Sequence, residues 1–229
     1  MSVNWSDYSL EQLRQYEISR FRKGAGSRPD VLLIEIEGQR AVLKDQSAAD
    51  RWFAMLIGPL LSWRECKALA RLSSVNCVPD LLARPCRRSF VMQYLDSEPI
   101  TRAQRIEPVW PDFFERLTLA VDQIHKAGIA HNDLRNPTNI LVTPAGEPVL
   151  VDLVAAFGRG ANWNVLNRWI FGKFCQVDRS AITKLKTRVA PELLNHADVQ
   201  AEQIAGRAGM ALRSVGQAIR RLSRKLFTD

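Results

Sequence analysis

Histidine and cysteine are scarce in this chain, three and four in 229 residues. Cys66, Cys77, Cys86 and Cys175 are widely spaced and none belongs to a C-x-x-C pair. Zinc-ligand spacing is therefore absent, and a chain of this size does not need disulfides to close a core. The cysteines read as small buried or half-buried residues in a reducing compartment. The longest apolar run, Trp52 to Trp63, is broken by Gly58-Pro59 and is too short to span a bilayer. A helix–turn packed on the core is the expectation for it, ahead of a surface segment dipping into a membrane. Met1 to Leu10 lacks the basic-then-apolar pattern of a signal peptide, so a cytoplasmic protein is expected. No internal repeat or low-complexity tract is visible. Glycine, too, is thin where a phosphate loop would need it: Gly24-Ala25-Gly26-Ser27 lacks the full G-x-G-x-x-G spacing.

What is present is an ordinary globular composition, 46% hydrophobic and 24% charged, which argues against disorder. The net charge of +8 favours polyanionic partners such as nucleotides, anionic lipid headgroups or nucleic acid, without choosing among them. A short N-terminal helix over 9–20 feeds an extended piece, Glu17 to Phe21. Val31 to Glu37 reads as a strand, Gly38-Gln39 as a hairpin turn and Arg40 to Lys44 as the return strand. Residues 50–73 carry helical pattern, most clearly from Arg64 to Leu72. Val78 to Leu82 and Phe90 to Leu95 add two strand candidates. Asp96-Ser97-Glu98-Pro99 breaks the pattern and marks a domain boundary, 1–95 before it and 96–229 after it. Beyond it, Phe113, Phe114, Leu117, Val121 and Ile124 share one face of a helix over Trp110 to Lys126. A glycine-broken loop (Gly158 to Gly160), a helix over Val177 to Arg188 and a basic helix from Ala201 to the end follow. Strands precede helices, so the class is α+β with two lobes.

The chemistry concentrates in His131-Asn132-Asp133-Leu134-Arg135-Asn136-Pro137-Thr138-Asn139-Ile140-Leu141-Val142 and in Val149-Leu150-Val151-Asp152. Two carboxylates and a carboxamide sit there on short loops beside apolar, strand-like runs. Such a set suits an enzyme that orients a hydroxyl and grips magnesium on a nucleotide. With Ala41-Val42-Leu43-Lys44-Asp45, Arg64-Glu65-x-x-Ala68-Leu69-x-x-Leu72, Asp178, Lys184-Leu185-Lys186 and Pro191-Glu192, the chain resembles the protein-kinase-like superfamily. Within it, the resemblance is nearest to the bacterial RIO-like and lipopolysaccharide (Kdo/InaA-type) kinases, and it runs from about Val31 to Glu192.

That resemblance implies a two-lobed kinase-like fold and ATP/Mg²⁺-dependent phosphoryl transfer. Lys44 would hold the α- and β-phosphates, against the plainer reading of a snorkelling strand-edge lysine. Glu65, on the following helix, would orient Lys44; otherwise it is a surface acid beside Arg64 and Lys67. Asp133 takes the catalytic acid–base position, with turn capping as its alternative. His131 braces the loop. Asn139 and Asp152 would hold the metal, with Asn136 as a lesser candidate for the amide. The Asp133–Asn139 spacing is one position longer than in eukaryotic protein kinases. Asp152 is followed by Leu153-Val154 instead of Phe-Gly, which implies a segment not switched by flipping. Gly24, Gly26 and Ser27 are candidate phosphate contacts, or a plain turn.

The acceptor is a hydroxyl of a protein Ser/Thr or of a lipopolysaccharide-core sugar. Two other classes remain open: a nucleotide-binding pseudokinase acting as a scaffold, and a binding module built on the basic tail. In that tail Leu212, Val215, Ile219, Leu222 and Leu226 form a stripe beside Arg207, Arg213, Arg220, Arg221, Arg224 and Lys225. The stripe docks on the larger lobe or lies on an anionic membrane at the inner face; nucleic acid is not an expected partner.

Overall fold

The computed structural model describes residues 3–101 and 112–194. They fall into two compact units, one of 3–99 and 139–156, the other of 100–101, 112–138 and 157–194. The division is not a single cut in the chain, because 139–156 segregates with the N-terminal part. The fold is α+β, as expected.

The first unit is built on a five-stranded antiparallel sheet in the order β1-β2-β3-β5-β4. Its strands are β1 (Glu17–Arg22), β2 (Asp30–Ile36), β3 (Gln39–Asp45), β4 (Leu81–Cys86) and β5 (Ser89–Gln93). Ahead of them, α1 (Leu10–Gln15) starts from a capping box in which Ser9 and Gln12 exchange side-chain and backbone bonds. One face of the sheet packs Leu32, Ile34, Ala41, Leu43 and Val91 against Trp5 and Leu13. The hairpin turn lies one residue earlier than the sequence suggests. Glu37 and Gly38 both have positive φ (49° and 76°), the requirement of the two-residue turn that matches strand twist, and Ile36 then pairs with Gln39. Strand β4 likewise starts at Leu81 instead of Val78. The Val78 N–H closes a turn onto the Val75 carbonyl, and Pro79 has no N–H to pair.

Between β3 and β4 run α2 (Arg51–Leu56) and α3 (Gly58–Arg71), with Pro59 in the first turn of α3. The expected helix–turn is there, but its packing is not as expected. Trp52, Met55, Leu56, Leu60 and Trp63 are exposed. The buried face of α3 belongs to Gly58, Ser62, Glu65, Cys66, Ala68 and Leu69. A three-stranded sheet, in the order β6-β8-β9, completes the unit: β6 (Glu98–Pro99), β8 (Ile140–Val142) and β9 (Pro148–Leu150).

In the second unit α4 (Phe113–Lys126) buries Phe113, Phe114, Leu117, Val121 and Ile124, the face read from the sequence. Helix α5 (Val165–Val189) begins well before the expected Val177, capped by the Asn164 side chain, which accepts the Asn167 N–H at 2.9 Å. In its early turns the apolar Val165, Leu166 and Trp169 are exposed. Phe171 and Cys175 pack with Ala130 of β7 (Ile129–Ala130), which pairs with β10 (Phe157–Gly158). The basic tail helix and the start of the Trp110 helix fall outside the described residues.

All four thiols are free; Cys66, Cys77 and Cys175 are buried and Cys86 is half-buried. Burial pushes the Cys77 thiol up to about 11 and that of Cys175 up to about 12. Thiolate is the reactive form. Alkylation of the native protein at pH 8 should therefore modify Cys86 first, with Cys77 and Cys175 on the order of a hundredfold slower; equal labelling by mass spectrometry would contradict this packing.

Candidate active site

Lys44 lies on β3, a strand paired on both sides: opposite Val31 of β2 and opposite Phe90 of β5. Its backbone is paired on both sides, and its side chain is 5% exposed. The Nζ donates to both Glu65 oxygens, at 2.9 and 2.7 Å, and to Asp152 Oδ1 at 2.9 Å. Three elements thus converge on one ammonium: a central strand, helix α3 and the residue that ends the β8–β9 hairpin. Burial alone would push Lys44 down, but the carboxylates of Glu65 and Asp152 hold it above the usual lysine range. Burial, with Asp152 beside it, pushes the Glu65 carboxyl above its ordinary value, against the opposing pull of Lys44.

Asp152 sits in the left-handed region at φ 66°, an uncommon conformation for a residue other than glycine. A 3-10 turn over Leu153–Ala155 follows. Helix α3 grips this segment at two points: Glu65 accepts from the Leu153 backbone, and Arg64 Nη2 donates to the Ala156 carbonyl at 3.2 Å. The Leu153-Val154 departure from Phe-Gly is thus accommodated by a braced turn. Asn139 is buried immediately before β8, and its carbonyl accepts the Val151 N–H at 3.0 Å. Because Ile140 pairs with Leu150, the hairpin brings Asn139 and Asp152 to the same end. Asn136 is spent elsewhere. Its Oδ1 accepts from Thr138 Oγ1 at 2.8 Å and from the Thr138 N–H at 3.3 Å, an Asx turn that opens the 3-10 helix Pro137–Asn139.

The Gly24–Ser27 stretch is a tight turn between β1 and β2, closed by an Ala25–Arg28 bridge. Gly26 has φ +60°, and its carbonyl accepts the Asp50 N–H at 2.8 Å. A side chain at Gly24 would meet Ala48 Cβ at 2.7 Å. The Gly24 N–H donates to Asp30 Oδ1 at 2.6 Å, so this amide is committed within the fold. Ser27 is exposed.

The second unit holds Asp133 on a half-buried loop, its carbonyl accepting the Asn136 N–H at 3.3 Å. What positions that loop is Asp178, on α5, a residue the sequence pattern contains without revealing its part. The buried carboxylate accepts the His131 N–H at 2.8 Å on Oδ2 and the Asn132 N–H at 2.7 Å on Oδ1. His125 Nε2 lies 3.0 Å from Oδ2. Asn132 takes φ +64°, turning consecutive amides toward one carboxylate. Asp178 belongs to the motif that carried the resemblance, but a single acid forty-odd residues downstream does not by itself reveal that it holds this loop. His131 is fully buried, which fits a bracing part.

No family model matches the chain. Among curated proteins it is similar to the serine/threonine-protein kinase hal4 of Schizosaccharomyces pombe, 42% identical over 62 residues. That match spans 27% of this chain and 9% of the relative. Among solved structures it is similar to the Rio2 kinase from Chaetomium thermophilum, with a TM-score of 0.57 and 18% identity over 83% of this chain and 64% of that one. The Rio2 kinase–ADP/Mg²⁺–phosphoaspartate complex gives 0.55 and 20%, over 89% and 68% of the two chains. WaaP in complex with acyl carrier protein gives 0.55 and 16%, over 94% and 90%. The fold is therefore that of the protein-kinase-like superfamily, in agreement with the resemblance read from the motifs.

The Lys44–Glu65 pair generates a stability prediction. Lys44→Met leaves a buried carboxylate unpaired and should cost about 3–5 kcal/mol in urea unfolding. Lys44→Met combined with Glu65→Leu should recover much of that loss, since both charges are gone; strictly additive losses would mean the two are not coupled. Lys44 holds its proton more tightly folded than unfolded, so its contribution is complete below about 10.5 and declines as pH rises through its folded value.

Proposed function

We propose that this protein, with its protein-kinase-like fold, is an ATP-dependent phosphotransferase acting on a hydroxyl. The observation that carries this reading is the buried Lys44–Glu65–Asp152 cluster, one cation between two carboxylates. An ammonium fixed this way is a ready contact for the α- and β-phosphates, because its position costs no reorganisation when the nucleotide arrives. Asn139 and Asp152 are hard oxygen donors at one end of a hairpin. Magnesium suits such a set, since it is commonly bound through one or two carboxylates plus substrate phosphates and keeps several waters. The Asp152 side chain is 30% exposed, so it is not sealed against a ligand. Bound there, magnesium supplies charge neutralisation on the transferring phosphates.

Asp133 would orient the acceptor hydroxyl. As the acceptor oxygen bonds to the γ-phosphorus, the bond from that phosphorus to the β–γ bridging oxygen breaks and ADP leaves; the hydroxyl proton passes to the Asp133 carboxylate. Asp178 would act on this step only by holding the 131–133 loop. The acceptor is a protein Ser/Thr or a sugar of a lipid-linked glycan, and incubation with labelled ATP, Mg²⁺ and a lysate split into protein and lipid fractions tells which. We place the protein in the cytoplasm, where free thiols persist and ATP is supplied. A second reading, a nucleotide-binding pseudokinase, is favoured by the commitment of the Gly24 amide to Asp30, which leaves the turn short of one phosphate donor.

Asp133→Asn should lower turnover about 10²–10⁴-fold with little change in ATP affinity. Asp152→Ala should abolish the Mg-dependent thermal stabilisation by ATP while the fold stays intact, since Lys44 keeps Glu65. Mg-ATP stabilisation of the parent without turnover on either fraction would favour the pseudokinase. Unchanged turnover in Asp133→Asn would reduce Asp133 to a loop cap and remove the mechanism.

A further inference from the structure

Helices α2 and α3 leave their largest apolar side chains outside. On an ordinary surface helix the apolar stripe faces the core and the polar residues face water. Here the buried face of α3 carries Ser62 and Glu65 among the small or modest Gly58, Cys66, Ala68 and Leu69, while Trp52 is 73% exposed, Met55 53%, Leu56 65%, Leu60 50% and Trp63 46%. With Ile57, six large apolar side chains are exposed within the twelve positions from 52 to 63, a concentration that scattered surface hydrophobics do not produce. Their spacing is regular: Trp52, Met55 and Leu56 share a face of α2, and Leu60, Trp63 and Lys67 follow one another along α3. This arrangement has a cause on the buried side. Glu65 must point inward to meet Lys44, and that fixes the rotation of α3 and turns Leu60 and Trp63 out.

The charges around these residues are mainly of one sign. From Asp50 to Arg71 the chain has Arg51, Arg64, Lys67 and Arg71 against two acids: Glu65, buried against Lys44, and Asp50, exposed at the start of α2. Lys67 Nζ stands 5.0 Å from the centre of the Trp63 ring. Tryptophan beside lysine or arginine, with leucine and methionine alongside, is the composition of segments that lie in a bilayer interface: the indoles and alkyl groups enter the headgroup boundary while the cations meet anionic lipid. An aqueous surface has no use for this combination.

We propose that the α2–α3 face is a docking surface for an anionic lipid bilayer, with Trp52, Leu56, Leu60 and Trp63 seated in the interface and Arg51 and Lys67 contacting headgroups. The occupant is a lipid surface because four cations against one exposed acid, Asp50, complement a uniformly anionic plane, and because a bilayer needs only a shallow apolar footprint. The proposal uses no residue of the basic tail and does not depend on the phosphotransfer reading: vesicle binding is measured without nucleotide, so its failure leaves that reading untouched.

The test is co-sedimentation of the full chain with phosphatidylcholine vesicles and with vesicles holding 30% phosphatidylglycerol. The parent should bind the anionic vesicles and be weakened by salt. Trp52→Ser/Leu56→Ser/Leu60→Ser should cut the partition coefficient by about tenfold or more. The three replaced residues are exposed, so circular dichroism and the thermal midpoint should match the parent. Acyl-chain-brominated lipid should quench the tryptophan emission of the parent. Trp52→Phe/Trp63→Phe should lose most of that quenching while still sedimenting. The proposal is overturned by a triple variant that sediments like the parent, by equal binding to neutral and anionic vesicles, or by no binding at all. A concentration-dependent dimer abolished by the triple variant, with vesicle binding unchanged, would assign the face to a second copy and overturn it as well.

Discussion

One buried ammonium organises the first unit. Lys44 brings a net charge of one into a place where an isolated ion is costly by several kcal/mol, and only excellent pairing offsets that. The pairing is supplied by two carboxylates from distant positions, Glu65 at 2.7 Å and Asp152 at 2.9 Å. Each partner imposes a constraint. Glu65 dictates which face of α3 is turned inward. Asp152, just past the β8–β9 hairpin, is itself a left-handed residue whose side chain is tied down by Lys44. The cluster carries one more negative charge than positive, and the half-open Asp152 side chain is where that excess meets solvent. A phosphate-bound cation is the natural complement to such an arrangement.

The second unit repeats the device with the signs exchanged. A single buried carboxylate, Asp178, gathers two backbone amides and an imidazole, and the loop bearing Asp133 takes its shape from them. Hydrogen bonds from amides to a charged acceptor are worth more than neutral ones, and leaving those amides buried without it would be expensive. Both units thus use one ion on a rigid element to hold a short irregular segment: Lys44 on a central strand for 152–156, Asp178 on a long helix for 131–133. Proposed reactive groups sit on the irregular segments and the anchors sit on the regular ones, as a preorganised site requires.

The rotation of α3 has a second effect. Meeting Lys44 takes up the face of the helix that would otherwise bury leucine and tryptophan, and no described residue covers the face left outside. A constraint at the buried cluster and an apolar, cationic surface are therefore two sides of one helix.

Read alone, the sequence determined the α+β class, the apolar face of the helix at 113–126 and the strand carrying Lys44. These follow from local rules, period-2 and period-3.6 patterning; Glu65 as the partner of Lys44 came from the kinase resemblance, with a surface acid as the alternative until the structure placed the two in contact. Pattern did not show the turn at Glu37-Gly38, because either neighbouring register preserves the alternation and only the backbone requirement for two positive φ values decides. The sequence ranked Asn139 ahead of Asn136 but could not show that the Asn136 side chain closes an Asx turn with Thr138, which depends on the local backbone path. Asp178 was legible as part of a family-like motif, but its bonds to the His131 and Asn132 amides depend on the chain bringing the helix under the loop. The run from Trp52 to Trp63 is the sharpest case. Its hydrophobicity is plain in the sequence, yet which side faces out was settled by Glu65 reaching inward. Patterning reads each helix by itself, whereas its rotation is set by the strongest partner it meets across the fold, and here that partner is a charge.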